Sequence, residues 1–391
     1  AVRSVAGRAA RRSQGLLHAA GILPLDPGAS VAVVGPNADA PRNLLGNYSY
    51  AGAENASGGV DVVTPLAGLR ERVADVTDAR GCGVRAGDDD IAAAVAAAED
   101  ADVTVACVGG QSGIDVERDS PGTAGEALDR ADLGLPGRQP ELVDRLAAVD
   151  TPLVVVVVSG RPLALPDAVS AADATLLAWL PGQEGGRAIA DVLLGTDPGG
   201  RLPVSLPRTA GQLPIHYRRH AVSRGEYVFT EGSPLFPFGH GGSYADFAYD
   251  DLSVAPGSIP TDGGTTVSVA VGNVADRPGT EVVQLYAKPV GAGGVRPERE
   301  LVGFARVALD AGERATVRFD LAAATLSAHA GRRDRRVDPG RVGLAVGRAA
   351  GDLRARPPPE LTGDAGVPDP DPPAAVPPAV EWGGPGRTGV A

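Results

Sequence analysis

Residues 117–137 read ERDSPGTAGEALDRADLGLPG, which sets Glu117, Asp119, Glu126, Asp129 and Asp132 among glycines and prolines. A carboxyl group on such a loop can carry protons if its surroundings tune its acidity. Glu126 is the first candidate. Gly125 and Ala127 flank it, so its backbone can come close to a ligand. Asp129 and Arg130 would act on it in opposite senses, a neighbouring carboxylate raising its pKa and a guanidinium lowering it. The same residues also describe a solvated acidic loop with capping carboxylates ahead of a helix, and composition leaves both readings open.

Other chemistries are less well served. Asp115, Glu117 and Asp119 alternate as in a calcium loop, but the required glycine and closing glutamate are not at the needed spacing. His216, His220 and His240 fit no ligand spacing on one helix, and no cysteine accompanies them. No metal is therefore expected. VVGPNAD lacks both glycine-rich phosphate motifs and reads as a turn after a strand. No Gly-x-Ser-x-Gly elbow occurs. No cofactor is expected.

The acidic loop needs a scaffold, and the hydrophobic pattern supplies one. SVAVVG (30–35), DVTVACVGG (102–110), PLVVVVVSG (152–160) and ATLLAWLPG (174–182) are short apolar runs, with DVTDARGCG (75–83) a weaker member. Helical patterns at 88–101, 137–149 and 182–195 separate them, and 1–17 reads as a further helix through Val2, Val5, Ala9 and Leu16. Continuously apolar strands alternating with helices predict an α/β fold, a mainly parallel sheet sandwiched by helices. Ligands of such sheets sit beyond the C-terminal strand ends. Of the loops there, the acidic one is the longest, and long loops at that edge usually carry function.

Beyond residue 200 the pattern changes. From about 250, runs such as TTVSVAVGNV, EVVQLYAKPV and RATVRFDL alternate apolar and polar residues between turn signals, which predicts a small antiparallel sandwich. The expected organisation is an α/β domain over 1–215, a linker with an aromatic Gly/Pro turn over 216–249, a β-sandwich over 250–363 and a disordered Pro-rich tail over 364–391.

The 391 residues carry a formal net charge of -12, which argues against nucleic acid as a partner. Lys288 is the only lysine, a composition bias with no functional reading. Cys82 and Cys107 make no disulfide framework, and Cys107 reads as a buried thiol. No apolar run approaches the length of a membrane span. The chain contains no Met, so it reads as a fragment of a longer protein, and both cytoplasmic and secreted locations fit it.

Several stretches, in order, carry a resemblance. GILPLDPGASVAVVGPNADAPRNLLGNYSY, GTAGEALDRADLGLPGRQPELV, PLVVVVVSGRP, AWLPGQEGGRAIADVLLGTDPGGRLPVSLPR and PLFPFGHGGSY resemble the α/β-sandwich domain of glycoside hydrolase family 3, the β-glucosidase and β-xylosidase family. GTEVVQLYAKPV and RPERELVGFARVAL resemble its fibronectin type III-like domain. The resemblance implies a retaining glycosidase acting on a β-linked oligosaccharide or glycoside. Glu126 falls at the position of the general acid/base, with Glu117 as the back-up acid and Asp129 and Arg130 as substrate-binding candidates. It also implies a nucleophilic aspartate on an N-terminal (β/α)8 barrel, and this sequence shows no such barrel. The alternative is a non-catalytic carbohydrate-binding or interaction module without a barrel. Departures from the family pattern are HAAG in place of a Lys-Asn stretch, Ala127 in place of a glycine, and an arginine in RRVDPG where an aromatic is common.

Overall fold

The computed structural model describes residues 2–49, 61–87, 89–113, 122–125, 128–220, 227–290, 296–329, 335–355, 360–362, 378–382 and 388–389. The chain divides into two compact units: 1–202 with 206–214 and 234–236, and 203–205 with 215–233 and 237–391.

The first unit is α/β. Its strands are β1 (Gly15–Ala19), β2 (Val31–Val34), β3 (Val76–Ala79), β4 (Val103–Gly109), β5 (Leu153–Val158) and β6 (Ala174–Trp179), in the sheet order β1-β6-β5-β4-β2-β3. All neighbours are parallel except β1, which runs antiparallel along β6. The helices are α1 (Val2–Ser13), α2 (Pro65–Arg70), α3 (Ile91–Glu99), α4 (Gln139–Ala147), α5 (Pro166–Ala171) and α6 (Gly185–Leu193).

Strand β5 explains the layering. Leu153, Val155 and Val157 enter a core shared with Ile91, Ala94 and Ala98 of α3 and Leu142, Val143 and Leu146 of α4. Val154, Val156 and Val158 point to the opposite face and are just as buried. A strand buried on both faces cannot alternate in polarity, so it reads as an unbroken valine run. Each such side chain contributes about 1.5–3 kcal/mol on burial. On the edge, β3 reads VTDA and is only partly covered.

The helical reading of residues 1–17 stops early. The helix ends at Ser13, and Gly15–Ala19 forms the edge strand β1 instead. Of the apolar positions that gave the helical spacing, Val2 and Val5 are exposed in α1, while Gly7 and Ala10 are buried. Two ion pairs link the helix to neighbouring elements, Arg3 to Glu184 at 2.6 Å and Arg11 to Asp191 at 3.0 Å.

Both cysteines are free and fully buried, Cys107 within β4 and Cys82 just after β3. Burial pushes the Cys107 thiol up to about 12 and that of Cys82 up to about 11. The nucleophile is the thiolate, so the native chain resists iodoacetamide at pH 8 and is labelled only after unfolding. Rapid labelling of the folded chain, read by mass spectrometry, would contradict this.

The second unit is a mainly antiparallel sandwich, with a parallel strand pair between 258–260 and 360–362. Its strands are β7 (Phe247–Ala255), β8 (Ser258–Pro260), β9 (Gly264–Asn273), β10 (Gly279–Val290), β11 (Glu300–Leu309), β12 (Arg314–Ala322), β13 (Ala328–His329), β14 (Arg335–Arg336), β15 (Gly340–Ala349), β16 (Asp352–Ala355), β17 (Glu360–Thr362), β18 (Pro378–Trp382) and β19 (Thr388–Gly389). One sheet runs β11-β10-β15-β17-β8 and the other β19-β18-β12-β9-β7. Val267, Val269 and Val271 of β9 and Val283 and Leu285 of β10 share one core, as alternating strands require.

One expectation about this half needs correction. The tail over 364–391 is not disordered throughout. Pro378–Trp382 pairs antiparallel with β12, placing Val380 opposite Val317 and burying it in the core. Val380 and Trp382 lie two apart and so share a face, a period-2 signal too short to stand out in Pro-rich surroundings. Tyr217 stacks on Phe238 with centroids 4.0 Å apart and meets Tyr286 edge-on at 6.3 Å, and β7 has begun by Phe247.

Candidate functional site

Strand β4 ends at Gly109, which has φ +127°. A Cβ there would lie 2.1 Å from the carbonyl oxygen of Val158, so only glycine lets β4 and β5 stay paired to their ends. Gln139, the first residue of α4, clasps the same point. Its Oε1 accepts from the Gly109 amide at 2.7 Å, and its Nε2 donates to the carbonyls of Gly109 and Val84, both at 2.9 Å. The Gln139 side chain is completely buried.

The acidic segment leaves from this clasp. The outgoing residues 110–113 and the returning residues 122–125 are zipped together. The Gln111 amide donates to Thr123 Oγ1 at 2.9 Å, the Thr123 amide to the Gln111 carbonyl at 2.7 Å, and the Gly113 amide to the Ala124 carbonyl at 2.9 Å. Gly113 and Gly122 allow this closeness: a Cβ on Gly122 would lie 2.5 Å from the Gly113 nitrogen. Gly125, at φ +134°, is equally constrained, since its Cβ would lie 2.0 Å from the Gly113 carbonyl oxygen. The segment then turns, with the Leu128 amide donating to the Gly125 carbonyl at 3.3 Å and Arg161 Nη2 donating to the Leu128 carbonyl at 3.1 Å.

Glu117 and Glu126 themselves lie outside the described residues, as do Asp115 and Asp119. Their anchors on both sides are described. Asp129 and Arg130 line a cleft of about 250 Å³ with Arg85, Gly122, Thr123 and Leu128. The Arg130 guanidinium is engaged by its own loop, donating to the carbonyls of Asp132 at 2.9 Å and Gly134 at 2.6 Å. It braces the turn that leads into α4.

A larger cleft of about 870 Å³ opens at the C-terminal ends of β2 and β3, lined by Gly35, Asp39, Asn43, Arg80, Arg85 and Gln111 among others. The strand order reverses here, because β3 and β4 lie on opposite sides of β2. Gly35, at φ +99°, lets the turn after β2 approach β4, and the Asn37 amide donates to the Cys107 carbonyl at 3.0 Å. The turn runs into a short 3-10 helix, Pro41–Leu44, not directly into an α-helix.

One residue near the acidic segment had no signal in the sequence. Asn47 is buried and its Nδ2 has no hydrogen-bond partner. Among the histidines, His240 sits in a turn of the second unit where its amide donates to the Pro237 carbonyl. Among the described residues no group of three or more His, Cys, Asp or Glu could hold a metal.

Comparison with known proteins follows the same division of the chain. Residues 16–244 match the glycosyl hydrolase family 3 C-terminal domain, and residues 281–350 match a fibronectin type III-like domain. A periplasmic β-glucosidase of Salmonella typhimurium is 37% identical over 335 residues, which cover 76% of this chain and 42% of that protein. A β-xylosidase of Formosa agariphila is 36% identical over 346 residues, covering 85% of this chain and 46% of that one. The crystal structure of a β-glucosidase from Listeria innocua in complex with gluconolactone superimposes with a TM-score of 0.85 at 31% identity, covering 93% of this chain and 50% of that one. The chain thus spans about half the length of the relatives it matches.

Proposed function

The chain belongs to glycosyl hydrolase family 3, and from that premise we propose that it is the C-terminal part of a retaining β-glycosidase, supplying the general acid/base but not the nucleophile. The substrate class, terminal β-linked glucose or xylose, follows the names of the relatives, β-glucosidase and β-xylosidase. The observation that carries the reading is the zipped base of the acidic segment: Gly125, the residue before Glu126, is locked by backbone contacts at the C-terminal end of β4.

A retaining glycosidase places two carboxyl groups roughly 5–5.5 Å apart, one attacking the anomeric carbon and one carrying protons. Glu126 takes the second role. It protonates the glycosidic oxygen as the bond breaks, then removes a proton from the water that hydrolyses the glycosyl-enzyme intermediate. Glu117 is the substitute should Glu126 fail this role. The nucleophile belongs to an N-terminal (β/α)8 barrel of the same protein, the main partner of this chain. Asp129 and Arg130, which border the cleft of about 250 Å³, are the substrate-binding candidates, with Arg130 bracing the loop.

An acid without its nucleophile does not hydrolyse glycosides. The purified 391-residue chain therefore shows no turnover of 4-nitrophenyl β-glucoside or β-xyloside above buffer, while the full-length protein with its barrel does. Ordinary turnover by the chain alone would sink the proposal, and an inactive full-length protein would favour a binding module.

A further inference from the structure

We infer that the second unit carries a binding site for a neutral saccharide, in a cleft where Arg348, Asp246 and Asp352 supply the polar contacts and Tyr244 supplies apolar surface. The inference does not depend on the role of Glu126.

The cleft measures about 560 Å³, within the roughly 300–1,000 Å³ of small-molecule sites. Both sheets of the sandwich build it. Arg348 of β15 and Asp352 of β16 belong to one sheet, while Asp246 immediately precedes β7 of the other. His240 and Tyr244 come from the turn PFGHGGSY. The start of that turn is firmly held. Gly239 has φ +82°, and a Cβ there would lie 2.2 Å from Gln284 Oε1. Gln284 Nε2 donates to the Gly239 carbonyl at 3.1 Å, and the Ala350 amide donates to the Phe238 carbonyl at 2.9 Å. A wall fixed in advance loses little freedom when a ligand arrives.

Each polar group commits one edge to the fold. The Arg348 side chain is 18% exposed, and its Nε lies 2.8 Å from Oε2 of the fully buried Glu281. Its Nη1 lies 3.5 Å from Asp246 Oδ1, and its Cζ lies 5.9 Å from the Phe247 ring centroid. Asp246 Oδ1 also accepts from the Phe247 amide at 2.9 Å, and Asp352 Oδ2 accepts from Arg354 Nη2 at 2.9 Å. Arg348 Nη2, Asp246 Oδ2 and Asp352 Oδ1 take no part in these contacts.

This set selects by charge. An anion drawn to Arg348 meets the Asp246 carboxylate beside it, and Glu281 already answers the guanidinium. A cation drawn to Asp246 meets Arg348. Taking an ion out of water without a free countercharge is costly. A sugar hydroxyl carries no charge, and it can donate to a carboxylate and accept from a guanidinium at the same place. Neighbouring ring hydroxyls also suit the two-pronged planar groups of Asp and Arg. Tyr244 adds a large apolar surface for the C–H side of a pyranose.

The test is an amide NMR titration of the 391-residue chain with cellobiose and with xylobiose. At least one of them gives saturable shifts of Gly241, Gly242 and the Arg348 Nε–H, while sodium glucuronate and choline bind more weakly. Asp246→Ala, at a side chain 74% exposed, keeps the fold and weakens binding by about tenfold or more. Arg348→Lys keeps a cation for Glu281, loses the planar fork and weakens binding as well. If that chain does not fold, Asp246→Ala decides alone. The site is overturned by the lack of a saturable shift with either sugar, or by shifts confined to the first unit. Tighter binding of glucuronate or choline, or an Asp246→Ala chain that binds like the unmodified one, overturns it equally. Turnover plays no part in this readout, so its outcome is separate from that of the acid/base assignment.

Discussion

Glu126→Gln in the full-length enzyme lowers kcat/KM for substrates with poor leaving groups by about 10²–10⁴-fold, the usual contribution of a positioned general acid. Glutamine keeps the shape and removes the proton. The loss grows with leaving-group basicity, because an alkoxide needs a proton to depart and a nitrophenolate does not. A series of aryl β-glycosides of rising phenol pKa measures it: the Glu126→Gln enzyme shows a much steeper dependence than the unmodified one. An unchanged dependence would move the role to Glu117, whose own Gln variant should then show the steep slope.

The second large effect lies at the root of the same loop. Gln139→Leu removes one acceptor and two donated bonds in a single change, leaving the Gly109 amide and the carbonyls of Gly109 and Val84 bare in a buried position. At about 1–3 kcal/mol for each orphaned group, the cost is roughly 3 kcal/mol or more, large for a single substitution. Leucine fits the volume, so lost packing does not explain the result. Urea unfolding measures the loss, and amide exchange at Gly109 localises it, since that proton loses its acceptor. A destabilisation below about 0.5 kcal/mol would show that the clasp is not needed.

Much of this architecture was legible in the residues. The valine run of β5 and the apolar runs of β2, β4 and β6 announce a sheet buried on both faces, because burial removes the need for polar alternation. The position of the acidic segment after β4 follows from the same pattern. Three features were not legible. Strand β1, GLLHA, is short and sits on an edge, so it borrows its strand character from β6 and not from its own sequence. The clasp by Gln139 depends on a side chain reaching 30 residues back to Gly109, which no local pattern encodes. Asn47 lies inside GNYSY, a stretch quoted for its family likeness, but that its buried Nδ2 has no partner is visible only in three dimensions. The alternation of β9, β10 and β12 was visible at once, since each presents one face to the core.

Strand β18 has a consequence for how the second unit can be handled. The match to the fibronectin type III-like family ends at residue 350, yet Pro378–Trp382 is hydrogen-bonded to β12 and covers its outer side. A chain trimmed to the family boundary would leave β12 as a rim of open amides and carbonyls beside Val317 and Phe319, which are buried in the intact unit. Such a rim is a template for strands of other molecules. The segment that looks most dispensable by composition is the one that keeps this sandwich from sticking to its neighbours.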